Sequence, residues 1–126
     1  MTIVLTSTQA REWAKARPDP VADLIETLAA LRGYERIARL YYGEDEHKFA
    51  LEACSPVRGD ADAAWARETP DPVSELGEFR WVLNQFERAA RLDYGSPPHA
   101  NALLYANSRL DAAIEMAGLE PLEGGF

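Results

Sequence analysis

Apolar residues recur along this chain at helical spacing and almost nowhere in alternation. Val21, Leu24, Leu28 and Leu31 share one helix face, and Tyr34, Ile37, Ala38 and Tyr41 continue it after a drift. Val73, Leu76, Phe79, Val82, Leu83, Phe86, Ala89 and Ala90 cover a much wider arc. A helix apolar over that arc belongs at the centre of a bundle. Leu103, Ala106, Leu110, Ala113, Ile114 and Ala117 form a single stripe. Only Thr2 to Leu5 carries a trace of period two.

Punctuation residues set the predicted ends. A short helix is predicted over about 8–17, with Ser7 or Thr8 as its cap, and another over 60–68, capped by Asp60. Each stops at Pro-Asp-Pro. Pro18 and Pro70 turn the preceding residue away from helix. Asp19 and Asp71 are natural N-caps, and Pro20 and Pro72 suit the first helical position, where a missing N–H costs nothing. Long helices then run over about 20–42 and 72–94, closed by Gly43 and Gly95. A third helix begins near Glu44 in the first half. Its counterpart starts at Ser96-Pro97 and runs to Ala117. Gly118 ends it, with Leu119 placed to touch Ile114 as in a Schellman motif.

These elements repeat with a 52-residue offset. Trp13-Ala14-Lys15-Ala16-Arg17-Pro18-Asp19-Pro20-Val21 aligns with Trp65-Ala66-Arg67-Glu68-Thr69-Pro70-Asp71-Pro72-Val73. Glu35-Arg36-Ile37-Ala38-Arg39-Leu40-Tyr41-Tyr42-Gly43 aligns with Glu87-Arg88-Ala89-Ala90-Arg91-Leu92-Asp93-Tyr94-Gly95, and His47 with His99, without a gap. Shared helical spacing alone would not place Trp, Pro-Asp-Pro, Tyr-Gly and His in register. The expected fold is all-α: a single-domain bundle of five or six helices. It is built from two tandem helix–Pro-Asp-Pro–helix–helix repeats, about 8–54 and 60–118, with an approximate internal two-fold and a tail over 119–126. The topological alternative is a right-angled stack of helical repeats.

A chain of 126 residues, 47% hydrophobic and 27% charged, can form one core without covalent staples. One cysteine, Cys54, rules out an intrachain disulfide and any CxxC chemistry. No apolar run reaches the ~20 residues of a membrane span, and the N-terminal residues lack a basic n-region, so a cytoplasmic protein is expected. The net charge of −8 opposes nucleic-acid backbones and anionic membranes and favours encounter with basic partners.

Candidate chemistry follows from the repeat. His47 and His99 correspond, and an internal two-fold could bring their imidazoles together as metal or acid/base partners. Two histidines are too few for a metal shell, and the acids beside His47 become Ser96-Pro97-Pro98 beside His99. The plainer reading is a ring packed on the neighbouring helix. Glu35 and Glu87 each precede an arginine, Arg39 or Arg91, by four residues. That spacing fits a structural ion pair better than paired acid/base carboxylates. Arg32, Arg36 and Arg39 form a stripe, as do Arg88 and Arg91 with Asn84 in place of Arg32. Phosphate binding there is opposed by the net charge, and a solvated face is the plainer reading. Trp81 stands where the first repeat has Ala29, at the edge of the apolar arc and beside Asn84 and Arg88. Trp beside Arg is the composition of a binding hot spot. Trp13 and Trp65, shared by both repeats, read as anchors of the short helices.

No nucleotide loop, HExxH or GxSxG motif is present. The expected function is a non-enzymatic acidic protein-binding module of inhibitor, immunity or adaptor type, without a cofactor. Its partner would be a protein with a basic surface, contacted by Trp81, Asn84, Arg88, Glu44, Asp45 and Glu46. A second copy of the chain is a further partner to consider. The alternative is a small-molecule- or metal-binding bundle with its site at the two-fold, near His47, His99, Glu35 and Glu87.

Overall fold

A computed structural model describes the backbone of residues 5–41, 55–91 and 97–120, and the side chains of 5–36, 55–88 and 105–120. Five helices make up these residues: α1 (Ser7–Lys15), α2 (Pro20–Tyr41), α3 (Asp60–Glu68), α4 (Pro72–Arg91) and α5 (Pro97–Ala117). No strand occurs among them. Residues 1–4, including most of the alternating Thr2–Leu5 stretch, lie outside the described residues. So do Gly43, Gly95, Ser96 and the helix expected from Glu44.

The Pro-Asp-Pro punctuation works the same way twice. Asp19 Oδ1 accepts from Ala22 N at 3.1 Å, and Asp71 Oδ1 accepts from Ser74 N at 3.0 Å. Each aspartate thereby satisfies one donor that the first helical turn leaves open. The short helices start one residue from their expected caps. Thr6, not Ser7 or Thr8, caps α1: its hydroxyl accepts from Gln9 N, and Gln9 Oε1 accepts from Thr6 N. This reciprocal capping box explains the choice, because Gln9 stands three residues after Thr6. Gly59 occupies the cap position of α3, and Asp60 is its first helical residue. Asp60 and Asp62 then favour the positive helix end. At the other end of the fold, Gly118 adopts φ +75°. Leu119 N donates to Ile114 O and Gly118 N to Glu115 O, the paired bonds of a Schellman turn.

α4 is the hub, as its broad apolar arc requires: it packs against α1, α2 and α5. Leu76, Phe79, Val82 and Phe86 of α4 are buried with Leu24, Leu28 and Leu31 of α2 and Ala106, Leu110 and Ile114 of α5. Truncating one such leucine to alanine typically costs about 2–5 kcal/mol. Trp13 and Trp65 pack partly buried against this core, and Trp65 meets Phe79 edge-on at 5.8 Å.

The short helices are exchanged between the halves. α1 of the first half packs on α4 of the second, and α3 of the second packs on α2 of the first. Tyr34 and Phe86, which correspond at the 52-residue offset, stack with centroids 5.2 Å apart and planes 14° apart. A contact between corresponding residues is what an internal two-fold axis would produce.

Gly77 has no counterpart in composition; Ile25 takes its place in α2. A Cβ on Gly77 would lie 3.2 Å from Arg11 Cα and 3.0 Å from Arg11 Cγ. Its hydrogen lets the α1 backbone lie against α4, and Ala10 and Ala14 present small buried side chains from α1.

Candidate functional site

The arginine stripe divides into three fates. Arg32 is 4% exposed and belongs to a buried ion network. Its Nε and Nη2 donate to the two Asp62 oxygens at 2.9 and 3.0 Å, and its Nη1 donates to Glu35 Oε1 at 2.7 Å. Nη2 also donates to the Glu120 carbonyl at 2.7 Å. Burial alone would lower the proton affinity of this guanidinium, but the hydrogen bonds and charges of Asp62 and Glu35 carry it above its ordinary value. The solvated face expected for Arg32 is therefore corrected. Asp62, on the exchanged helix α3, holds it inside. Arg36, by contrast, is exposed.

Asn84 replaces Arg32 in the second half and is buried as well. Its Oδ1 accepts from Leu5 N at 2.9 Å, so it secures the entry to α1 and does not face a partner. Where α3 offers Asp62 to Arg32, α1 offers Ala10. The two halves thus solve one packing problem with a charged network on one side and a neutral amide on the other.

Arg88 is the third case. It is half-buried, and its Nε is the one buried side-chain polar atom among the described residues that lacks a hydrogen-bond partner. Native proteins leave few such atoms unsatisfied.

Trp81 is half-buried on α4, seven residues and hence about 20° around the helix from Arg88. Its ring meets Tyr105 of α5 edge-on, with centroids 6.4 Å apart. The Arg109 guanidinium lies 5.3 Å from the Trp81 centroid and 5.1 Å from that of Tyr105. Tyr105 is 45% exposed, and Met116, further along α5, is 90% exposed. These are the large exposed hydrophobic residues among the described ones. Sequence reasoning singled out Trp81 and Arg88 but missed Tyr105 and Arg109. The i, i+4 spacing of Tyr105 and Arg109, on the polar side of the α5 stripe, was the available signal.

Glu35 and Glu87 each pair with an arginine among the described residues. Glu35 is held by Arg32, at the i−3 position. Glu87 is held by Arg80, seven residues before it, at 2.7 Å. The side chains of Arg39 and Arg91 lie outside the described residues, as do Glu44, Asp45, Glu46 and His47. His99 falls in the first turn of α5, and its side chain is also outside them. Among the described residues, no group of three or more His, Cys, Asp or Glu could hold a metal ion. None of the helices, over the described residues, is long and apolar enough to cross a membrane.

Negative charge gathers elsewhere on α4. Asp71, Glu75 and Glu78 follow one helix face. Partial burial, and then the charges of Asp71 and Glu78, hold the Glu75 carboxyl above the usual range. A shallow cleft of about 250 Å³ opens beside them, lined by Arg11, Lys15, Asp71, Val73 and Ser74.

Comparison with known protein families, curated proteins and solved structures returns no significant match.

Proposed function

We propose that this chain is a non-enzymatic protein-binding module that docks through the α4–α5 face onto a partner with a basic surface. The carrying observation is the Trp81–Tyr105–Arg109 cluster, open to solvent at Tyr105. A tryptophan replaces the repeat's alanine here, and its ring is backed by an arginine and a second aromatic residue. Such anchors dominate binding energy in protein interfaces. The net charge of −8 and the Asp71–Glu75–Glu78 face supply long-range attraction for a basic partner. Inhibitor, immunity-type and adaptor proteins all work by this kind of docking. The sequence positions Glu44, Asp45 and Glu46 add to the same charge.

Capture with the tagged full chain, wild type beside Trp81→Ala, tests the reading. Circular dichroism first verifies that the variant keeps its helices. The expected result is a stoichiometric partner that the variant loses, with an association rate that falls as salt rises. A partner held equally by Trp81→Ala, or no partner at all, would overturn it.

A further inference from the structure

Resting on that reading, we infer that the partner docks through an amphipathic helix with one basic edge, laid along α5 from Tyr105 to Met116. The stripe it covers is separate from the core-facing one. Tyr105, Arg109, Ala112 and Met116 follow one another by four, three and four residues and lie within about 60° of one another on the helix. All four are exposed, Tyr105 by 45% and Met116 by 90%. The buried stripe of Ala106, Leu110, Ala113 and Ile114 is centred about 110° away. α5 therefore carries two seams, one packed on the core and one exposed.

The spacing identifies the occupant as a helix. Alternation of four and three residues is the repeat of about 3.5 through which two helices interlock. From Tyr105 to Met116 the seam runs about 16 Å, roughly three turns of a partner helix. Arg109 interrupts it where paired helices carry a polar residue to fix register. Its guanidinium lies over the rings of Trp81 and Tyr105, so its stem pads the seam. The two edges of the seam differ. Trp81 of α4 flanks Tyr105 on the core side. Exposed Glu115 and, farther round, Asp111 line the other side. An apolar edge against Trp81 and a basic edge against Glu115 and Asp111 complement this face. The net charge of −8 draws the same partner at longer range. A second copy complements it worse. Antiparallel, two-fold pairing of α5 would set acidic edge against acidic edge and join two chains of charge −8.

The test is fluorescence anisotropy of a labelled two-heptad peptide added to the full chain. The probe is acetyl-Leu-Lys-Lys-Leu-Ala-Lys-Lys-Leu-Lys-Lys-Leu-Ala-Lys-Lys-amide, whose leucines form one seam with alanines on one edge and lysines on the other. A scrambled isomer keeps the charge but spreads the leucines around the helix. The chain should bind the designed peptide about ten-fold tighter than the isomer, because only the first can bury Tyr105 and Met116 together. Met116→Ser, at so exposed a position, should weaken binding about ten-fold while the circular dichroism spectrum stays unchanged, and Met116→Leu should bind as wild type does. Glu115→Lys should slow association. Equal binding of the peptide and its isomer, or of wild type and Met116→Ser, would overturn the inference. So would a wild-type dimer in sedimentation that Met116→Ser abolishes, since a second copy would then cover the seam. A natural partner lost by Trp81→Ala but held fully by Met116→Ser would remove the helix and leave the binding-module reading standing.

Discussion

Arg32 shows how much one residue's surroundings decide. Its guanidinium satisfies two carboxylates and a carbonyl from three parts of the chain. Removing one partner of a buried ion network strands the remaining charge, which typically costs about 3–5 kcal/mol. Asp62→Ala should lower the stability read by urea unfolding by that order. Replacing Arg32, Glu35 and Asp62 together by Met, Leu and Leu should come within about 1–2 kcal/mol of wild type, because the three charges that face one another leave together. A large loss in the triple variant would show that the network sets the packing of α3 beyond its own energy. Glu75 is the opposite case. Its proton affinity is raised in the folded chain, so the fold binds that proton more tightly than the unfolded chain does. Stability is therefore lost as pH climbs from the ordinary carboxylate range through the raised value. Glu75→Gln should stabilise at neutral pH by about a few tenths of a kcal/mol, given solvent screening, and the gain should vanish at acid pH. Melting curves across pH would read it. A gain that persists in acid would assign the effect to packing.

At the scale of elements, the close approach of α1 to α4 depends on Gly77. Gly77→Ala restores helix propensity worth about 0.5–1 kcal/mol but presses a methyl on Arg11, so the two effects nearly cancel. Gly77→Leu has no such compensation. It should lift α1 off α4, speeding amide hydrogen exchange across Ser7–Lys15 while exchange in the α2–α5 core stays slow. Uniformly faster exchange would mean that α1 cannot be released alone. The helices themselves were legible in the residues. Pro20 and Pro72 mark both long starts, Gly118 marks the last stop, and the wide arc of α4 announces its central place. The partners of charged side chains were not. Local spacing pointed to Arg39 and Arg91, whose side chains lie outside the described residues, and gave no sign of the pairs Glu35–Arg32 and Glu87–Arg80. Asp62 reaches Arg32 across 30 residues because α3 folds onto the other half's long helix. Periodicity reports which face of a helix is apolar, and says nothing about which helix will cover it. For the same reason Asn84 read as a surface residue, although α1 closes over it.

For the whole molecule, the net charge of −8 sets the response to salt. Self-repulsion weakens a compact state, and added salt screens it. The melting temperature at neutral pH should therefore rise between about 10 mM and 150 mM sodium chloride. A fall would show that surface pairs such as Arg17–Asp23 and Arg58–Glu26 outweigh the repulsion. The candidate site was legible in part at this scale. Trp81 stood out because the repeat has alanine at its counterpart, a contrast visible without coordinates. Tyr105 and Arg109 join it only through the packing of α5 on α4, which brings residues 24 and 28 positions away onto its ring.

The exchange of short helices also has a consequence during synthesis. α1 leaves the ribosome long before the helix that covers it. At about 5–20 residues per second, roughly 3–11 s pass between the making of Lys15 and that of Pro72, the first residue of α4. Through that interval the apolar side of α1, with Trp13, has no cover of its own. A nascent chain held short of Pro72 should thus expose Trp13 to a chaperone, and one extended past Arg91 should withdraw it.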